Sequence, residues 1–302
     1  MLRNLPLRRA AFGLAGAAAL MLPLTACGAK KDTSATPSGG PAPSSVAVDQ
    51  ALAAKVPAAI KSDGKITVGT DSTYAPSEFL DTDGKTVVGF DVDLFNAVAA
   101  KLGLKADWQS GKFDDIIPGI QSGKYEIGVS SLTINSDREK QALMVSYFSA
   151  GTQWVAKTGS TLSPDDACGK NVAVQTGTVQ IDDITAKNKK CTGSGKSAIT
   201  IHQYQAQSDA TTAVVSGKDD AMLADSPVSA YAVKQTSGQL ALIGSIYDSA
   251  PYGYTVKLDQ QTFAEALRDA TKAIIADGTY KTILAKWGVG SGAITTDPAI
   301  NP

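Results

Sequence analysis

Apolar and polar positions alternate over Lys65-Ile66-Thr67-Val68-Gly69, and this β-branched run predicts a short strand. Val87 and Val88 predict another. Beyond them Val92, Phe95, Val98, Ala99 and Leu102 fall on one face of a helix that Gly103 ends, with Asp91 as its expected cap. A strand over Lys105 to Gln109, a helix over Phe113 to Gln121 with Pro118 inside it, and a strand over Tyr125 to Ser130 follow. The alternation of strand and helix predicts a parallel sheet with helices on both faces. A second series repeats it: strand Asn171 to Gln175, helix Val179 to Asn188, strand Ile199 to His202, helix Ser208 to Ser216, strand Ala221 to Ala224, helix Pro227 to Lys234. A long amphipathic helix over Gln261 to Asp277 and a last one through Tyr280 to Trp287 close the pattern. Upstream, Val48, Leu52, Val56 and Ile60 keep a helical spacing that Pro57 interrupts. No internal repeat is visible, which argues against a solenoid.

The chain has 302 residues, enough for two domains, and its hydrophobic share of 43% can fill real cores. Lys and Arg number 28 against 29 Asp and Glu, so no global field favours nucleic acid or an acidic surface. Arg3, Arg8 and Arg9 precede the apolar stretch Ala10 to Leu22, too short and too rich in Ala and Gly for a good membrane span. This is the pattern of a cleaved export signal over residues 1–26. A twin-arginine reading of Arg8-Arg9 fits its surroundings poorly.

Leu24-Thr25-Ala26-Cys27 resembles the bacterial lipobox, in which the Cys sulfur receives a diacylglyceryl group, so Cys27 is the expected lipid anchor to the cell membrane. From Gly28 to Ser45 the chain has scarcely an apolar side chain, and residues 27–46 are expected to be a flexible tether of roughly 20 to 30 Å. Export would place Cys168 and Cys191 in an oxidising space as the available pair once Cys27 is lipidated. A disulfide there would stabilise by about 3 kcal/mol in the chain-entropy model. Two buried free thiols are the alternative.

The segments GTDSTYAPSEFLDTDGKTVVGFDVDLFNAVAAKLG, IIPGIQSGKYEIGVSSLTINSDRE, VAVQTGTVQ, LADSPVSAY and ADGTYKTILAKWG occur in colinear order from about Lys65 to Gly288. Together they resemble the bacterial extracellular solute-binding proteins, family 3, that deliver polar amino acids to ABC importers. The resemblance implies an α/β, two-lobed, periplasmic-binding-protein-like (type II) Venus-flytrap fold, with two parallel-rich sheets flanked by helices and joined by two crossover segments. Lobe 1 would comprise residues 47–150 and, with the C-terminal tail, 250–302; lobe 2 would comprise 151–249. It also implies a polar amino-acid ligand, an ABC permease with a cytoplasmic ATPase as partner, and a monomer without cofactor.

A free amino acid is a zwitterion, so a cleft that takes it from water needs partners for both charges. Arg138 can grip a carboxylate with two parallel N–H···O bonds. Ser131 and Thr133 can add hydroxyl or backbone contacts, with Ser130 orienting them. Gly177-Thr178, between a strand and a helix, offers outward backbone N–H groups to the same anion. Asp225, at the end of a strand, would meet the ammonium group. The resemblance places Tyr74 and Phe113 on the two faces of the ligand side chain and Asp71 at its distal end. Ser77, where the family often has Phe, implies a roomier or more polar pocket.

Plainer roles compete for these residues. Arg138 could pair with Asp137 or Glu139; Ser130, Ser131, Thr133 and Thr178 could be caps. Asp225 could cap the helix beginning near Pro227, Tyr74 and Phe113 could be core, and Asp71 could lie in a solvated loop. Two other functions are open: an exported dehydratase-like enzyme on the same fold, and a ligand sensor acting through a partner. The single His202, with no H-E-x-x-H, G-x-S-x-G or nucleotide loop, offers an enzyme little support. An acid–base pair of Asp71 with Glu78 is conceivable, with solvated surface charges as the plainer account. The expectation is therefore a binding protein and not an enzyme.

Overall fold

A computed structural model describes residues 46–302. The expected signal, lipidation and tether at residues 1–45 lie outside the described residues. The chain begins with helices α1 (Gln50–Ala53) and α2 (Ala58–Lys61), split at Pro57 as the spacing implied. Strand β1 (Lys65–Thr70) then leads to a small antiparallel sheet of β2 (Thr73–Tyr74), β3 (Glu78–Leu80) and β4 (Val87–Val88). Helix α3 (Phe90–Lys101) buries Val92, Phe95, Val98 and Ala99, and Gly103 follows with φ 71°. Its cap is Gly89 and not Asp91, which lies inside the first turn. The reason is local: the N–H groups of Phe90 and Asp91 donate to the carbonyls of Pro76 and Ser77, leaving the Asp91 carboxylate free to turn inward. A Cβ on Gly89 would stand 2.0 Å from the Ser77 oxygen, so only glycine permits that approach.

Strand β5 (Lys105–Ser110) pairs with β1 in parallel. The expected helix from Phe113 splits into a 3₁₀ turn, Phe113–Asp115, and α4 (Ile116–Ser122). The expected strand Tyr125 to Ser130 shrinks to β6 (Ile127–Gly128), because the chain turns at Ser131. Helix α5 (Ser136–Glu139) is capped by the Asn135 side chain. Next come β7 (Leu143–Lys157), β8 (Asn171–Gln175), α6 (Val179–Gly193), β9 (Thr200–Tyr204), α7 (Gln207–Ser216), β10 (Ala221–Asp225), α8 (Ser226–Gln235) and β11 (Leu240–Val256). Helices α9 (Gln261–Ala276) and α10 (Thr279–Trp287) complete the series.

The order of the main sheet is β5-β1-β6-β11-β7-β10-β8-β9. The two expected sheets are thus continuous through β7 and β11, antiparallel strands long enough to serve both lobes. Their pairing shifts register between Ile243 and Tyr247 and again before Ala250, which bends the ribbon where it passes from one lobe to the other. One core gathers Phe90, Phe95, Tyr147, Tyr254, Phe263 and Leu267; another gathers Trp154, Val172, Ile184 and Leu223. Cys168 and Cys191 form a disulfide with Cα atoms 5.5 Å apart, tying the segment before β8 to the end of α6. Among the described residues no helix is long and apolar enough to cross a membrane. His202 contacts the buried carboxylate of Asp219, so it is held as part of the structure.

Candidate functional site

The C-terminal ends of β6, β8 and β10 and the start of α6 meet across a small cavity. Tyr74, Phe113, Ser131, Thr133 and Arg138 line it from one lobe, and Thr178, Val179, Gln180 and Asp225 from the other. Several contacts join the lobes around it. The Arg138 Nη2 donates to the Gly177 carbonyl at 3.1 Å, and the Gln175 amide donates to Asp71 at 2.9 Å. The Asp225 N–H donates to the Tyr74 hydroxyl at 3.1 Å, and the Gln207 N–H donates to the Thr73 hydroxyl at 3.1 Å. Gly177, with φ 80°, faces Asp114 so closely that a Cβ would lie 2.9 Å from the Asp114 Cβ. A larger cavity lies elsewhere, beside the disulfide and Lys187, Lys190 and Lys196. It is open to solvent and lined largely by lysine stems and the disulfide, without the convergent polar groups of the cleft.

Arg138 is the cationic pole. The residue is 9% exposed, and its guanidinium lies 5.3 Å from the Phe113 ring centroid and donates from Nη1 to the Thr133 carbonyl at 2.8 Å. Carbonyls satisfy N–H groups but carry no net charge, and Asp137 is already paired with Lys140 at the surface. The structural ion pair with Asp137 is therefore absent. Burial pulls the Arg138 pKa down, opposed by the field of Asp225. A buried guanidinium in this state favours an incoming anion strongly.

Thr178 begins α6, but its hydroxyl donates back to the Gln175 carbonyl at 2.8 Å and caps nothing. Val179 and Gln180, the first residues of this 15-residue helix, line the cavity, so the helix N-terminus is a second anion-favouring element beside Arg138. Asp225 occupies the position before α8, yet its carboxylate makes no cap. One oxygen accepts from Gln180 at 2.8 Å and the other from the Tyr252 hydroxyl at 2.7 Å. Burial still raises its pKa, with those donors pulling the other way.

Three expected residues stand behind the wall. Ser130 accepts from the Asp71 N–H at 2.9 Å and donates to Glu78 at 3.0 Å, so it orients acids and not Ser131 or Thr133. Gly177 contributes its carbonyl to Arg138. Asp71 is 2% exposed, which rules out the solvated loop. Its oxygens accept from Thr73, from the Phe113 N–H and from Gln175, and burial raises its pKa. Ser77 is fully buried and does not line the cavity, so it cannot enlarge the pocket directly. Glu78 is likewise fully buried, which corrects its reading as a solvated charge. Its partner is Asp91 more than Asp71.

Gln175, Gln180 and Tyr252 were not foreseen. Each is an ordinary polar or aromatic residue in sequence; the only signal was the position of Gln175 and Gln180 on either side of Gly177-Thr178.

Two lobes joined by a pair of crossing strands around a shared polar cleft define a two-lobed binding protein. The profile of bacterial extracellular solute-binding proteins, family 3, matches residues 66–290, and the chain belongs to that family. The arginine-binding protein ArgT of Corynebacterium glutamicum is 35% identical over 246 residues, 80% of each chain. The structure of an ancestral arginine-binding protein bound to arginine superposes with a TM-score of 0.69 at 34% identity, covering 74% of this chain and 98% of that one. The structure of an ancestral arginine-binding protein bound to glutamine gives 0.68 at 33%, covering 75% and 98%. By family and fold the protein is an extracytoplasmic solute-binding protein of type II architecture.

Proposed function

We propose that this protein is anchored at the cell membrane through lipidated Cys27, captures a polar amino acid between its lobes and delivers it to an ABC permease driven by a cytoplasmic ATPase. It acts as a monomer and carries out no reaction of its own. The single observation that carries the reading is Arg138, a buried cation whose protein partners in the cleft are neutral carbonyls. Arg138 with Ser131, Thr133 and Thr178 takes the ligand carboxylate, and the Gly177 carbonyl holds Arg138 from behind. Asp225 takes the ammonium, and Tyr74 and Phe113 hold the side chain.

A ligand with a basic or amide side chain is the first candidate. Asp71 is an acid whose burial disfavours its charge, and a cationic or N–H-bearing group displacing the Gln175 amide would relieve it. The arginine-binding relatives point the same way.

The experiment is calorimetric titration of the purified protein with L-arginine, L-lysine, L-glutamine, L-cystine and L-aspartate, with the recovered ligand checked by mass spectrometry. Saturable binding of one or more, with the ligand returned unchanged, is expected. Binding of none, or return of a converted product, would remove the reading. Cys27→Ser should shift the protein from the membrane to the soluble fraction.

A further inference from the structure

Behind the turn that carries Ser131 lies a pair of acids that no ligand contact uses. Glu78 and Asp91 are both 0% exposed. Asp91 Oδ2 takes three donors: the Ser131 N–H at 2.8 Å, the Ser131 hydroxyl at 3.1 Å and the Tyr147 hydroxyl at 2.6 Å. Glu78 Oε1 takes the Ser130 hydroxyl at 3.0 Å. The remaining oxygen of each acid, Glu78 Oε2 and Asp91 Oδ1, is buried and has no donor, while the two carboxyl groups are within hydrogen-bonding reach of each other.

Among the described residues no cation pairs with them. The ionisable groups that face the pair are Asp71 and Tyr74 on the Glu78 side and Tyr147, Tyr252, Tyr254 and Tyr280 around Asp91. Of the bases on the packed helices, Lys101 pairs with Asp277 and Lys286 with Asp93 at the surface. Two carboxylates in contact in a dry site repel strongly, and two buried acceptors without a donor are each costly. One proton between them removes both penalties. The hydrogen then lies on Glu78, donating to Asp91 Oδ1, and the charge stays on Asp91 where three donors converge.

We propose that Glu78 and Asp91 share a single buried proton and that this pair positions the anion-gripping turn from Ser130 to Thr133, making Glu78 a positioning residue for ligand capture. The inference rests on the reading of the cleft as an amino-acid site. Ser131 is held at φ 48°, a conformation that side-chain-bearing residues adopt at a cost, and the Asp91 contacts to its N–H and hydroxyl are what fix it there. Ser130 links the same pair to Asp71, whose backbone N–H donates to the Ser130 hydroxyl. Loss of the proton would put two anions in contact and push the first turn of α3 away from Ser131.

The test has two arms, both on the full chain. In infrared difference spectra between neutral and alkaline pH, wild type should show a protonated-carboxyl C=O stretch with a component that Glu78→Gln removes. Absence of the band in wild type, or an unchanged band in Glu78→Gln, overturns the shared proton. In calorimetric titration with L-arginine and L-glutamine as probes, Glu78→Gln, whose amide donates to Asp91 at every pH, should bind within about threefold of wild type at neutral pH. Glu78→Ala should lose about tenfold or more. The ratio of wild-type to Glu78→Gln affinity should then fall as pH rises, since deprotonation of the ligand affects both proteins alike. A ratio independent of pH overturns the positioning role, because a residue that only fills space would give that result. If wild type binds neither probe, the amino-acid reading of the cleft fails, whereas the infrared arm still decides the proton.

Discussion

Asp225 and Arg138 line one cavity with opposite charges, and their surroundings differ in kind. Each oxygen of Asp225 has a protein donor, from Gln180 and from Tyr252. Arg138 has protein partners too, but they are the carbonyls of Thr133 and Gly177, which satisfy N–H groups without cancelling a charge. The acid is thus satisfied without ligand, whereas the base feels only the field of Asp225 and has no carboxylate in contact with it. Binding free energy should therefore be concentrated at the Arg138 end, because there the ligand supplies something the protein lacks.

The sharpest way to break this comparison is Arg138→Ala. It should weaken binding of the captured amino acid by about 3–5 kcal/mol in calorimetric titration, the carboxylate entering the cleft without its charged partner. Arg138→Lys should restore only part of that, since an ammonium is a point charge and cannot copy two parallel bonds. Near-normal affinity in Arg138→Ala would mean that the two ends are equivalent after all.

Asp225→Asn should cost less, about 1.5–3 kcal/mol of affinity, the scale of one hydrogen bond to a charged group. Its effect on the protein itself should have the opposite sign. Burial already disfavours the charge on Asp225, so the neutral variant should melt no lower than wild type without ligand. A variant that both binds and folds poorly would show that Asp225 holds the fold together and is not poised for a ligand.

A pH series extends the contrast from one acid to the group. Burial raises the pKa of Asp225, Asp71 and Glu78, and pushes Asp91 up to about 6. A raised carboxyl contributes stability below its unfolded value, 3.8 for Asp and 4.5 for Glu, and loses it as pH rises through the folded value. The unliganded protein should thus melt at lower temperature as pH climbs from about 4.5 through 6 and beyond, by roughly 2–4 °C for each kcal/mol lost. The paired surface acids Asp269 and Asp277, whose pKa is lowered, act only below the ordinary carboxylate range and do not offset this window. A stability that rises across the same interval would show that the cleft acids are paired with cations in solution.

The same contrast marks how far the sequence could be read. Arg138, Ser131 and Thr133 were legible because a motif of fixed spacing carries them, and α3, α9 and β8 because apolar spacing has no other explanation there. The crossing strands β7 and β11 were not. The burial of β7 is nearly continuous and so shows no alternation, its polar Thr152 and Gln153 are buried with their neighbours, and its partner lies about a hundred residues away. Glu78 and Asp91 were misread for a different reason. A sequence records that a residue is ionisable but not that it is dry, and Asp91 looked like a cap because the helix start was placed two residues late. Gln175 and Gln180 acquire a role only when the two lobes meet, which no local pattern encodes.

The smallest effect is expected at Tyr74, and it tests whether closure or charge carries the affinity. Its hydroxyl accepts the Asp225 N–H at 3.1 Å from the opposite lobe, and its ring packs on Ala224 and Val228. Tyr74→Phe keeps the ring and removes the acceptor, leaving one N–H without its partner in the closed arrangement alone. Since only an interaction that distinguishes closed from open can shift that equilibrium, the loss should be about 0.5–1.5 kcal/mol, seen mainly as faster ligand release in stopped-flow traces. A loss as large as that of Arg138→Ala would place the energy of capture in the contacts between lobes. The unneutralised guanidinium would then be a secondary grip, and the asymmetry between the two poles would describe the empty cleft without explaining how it binds.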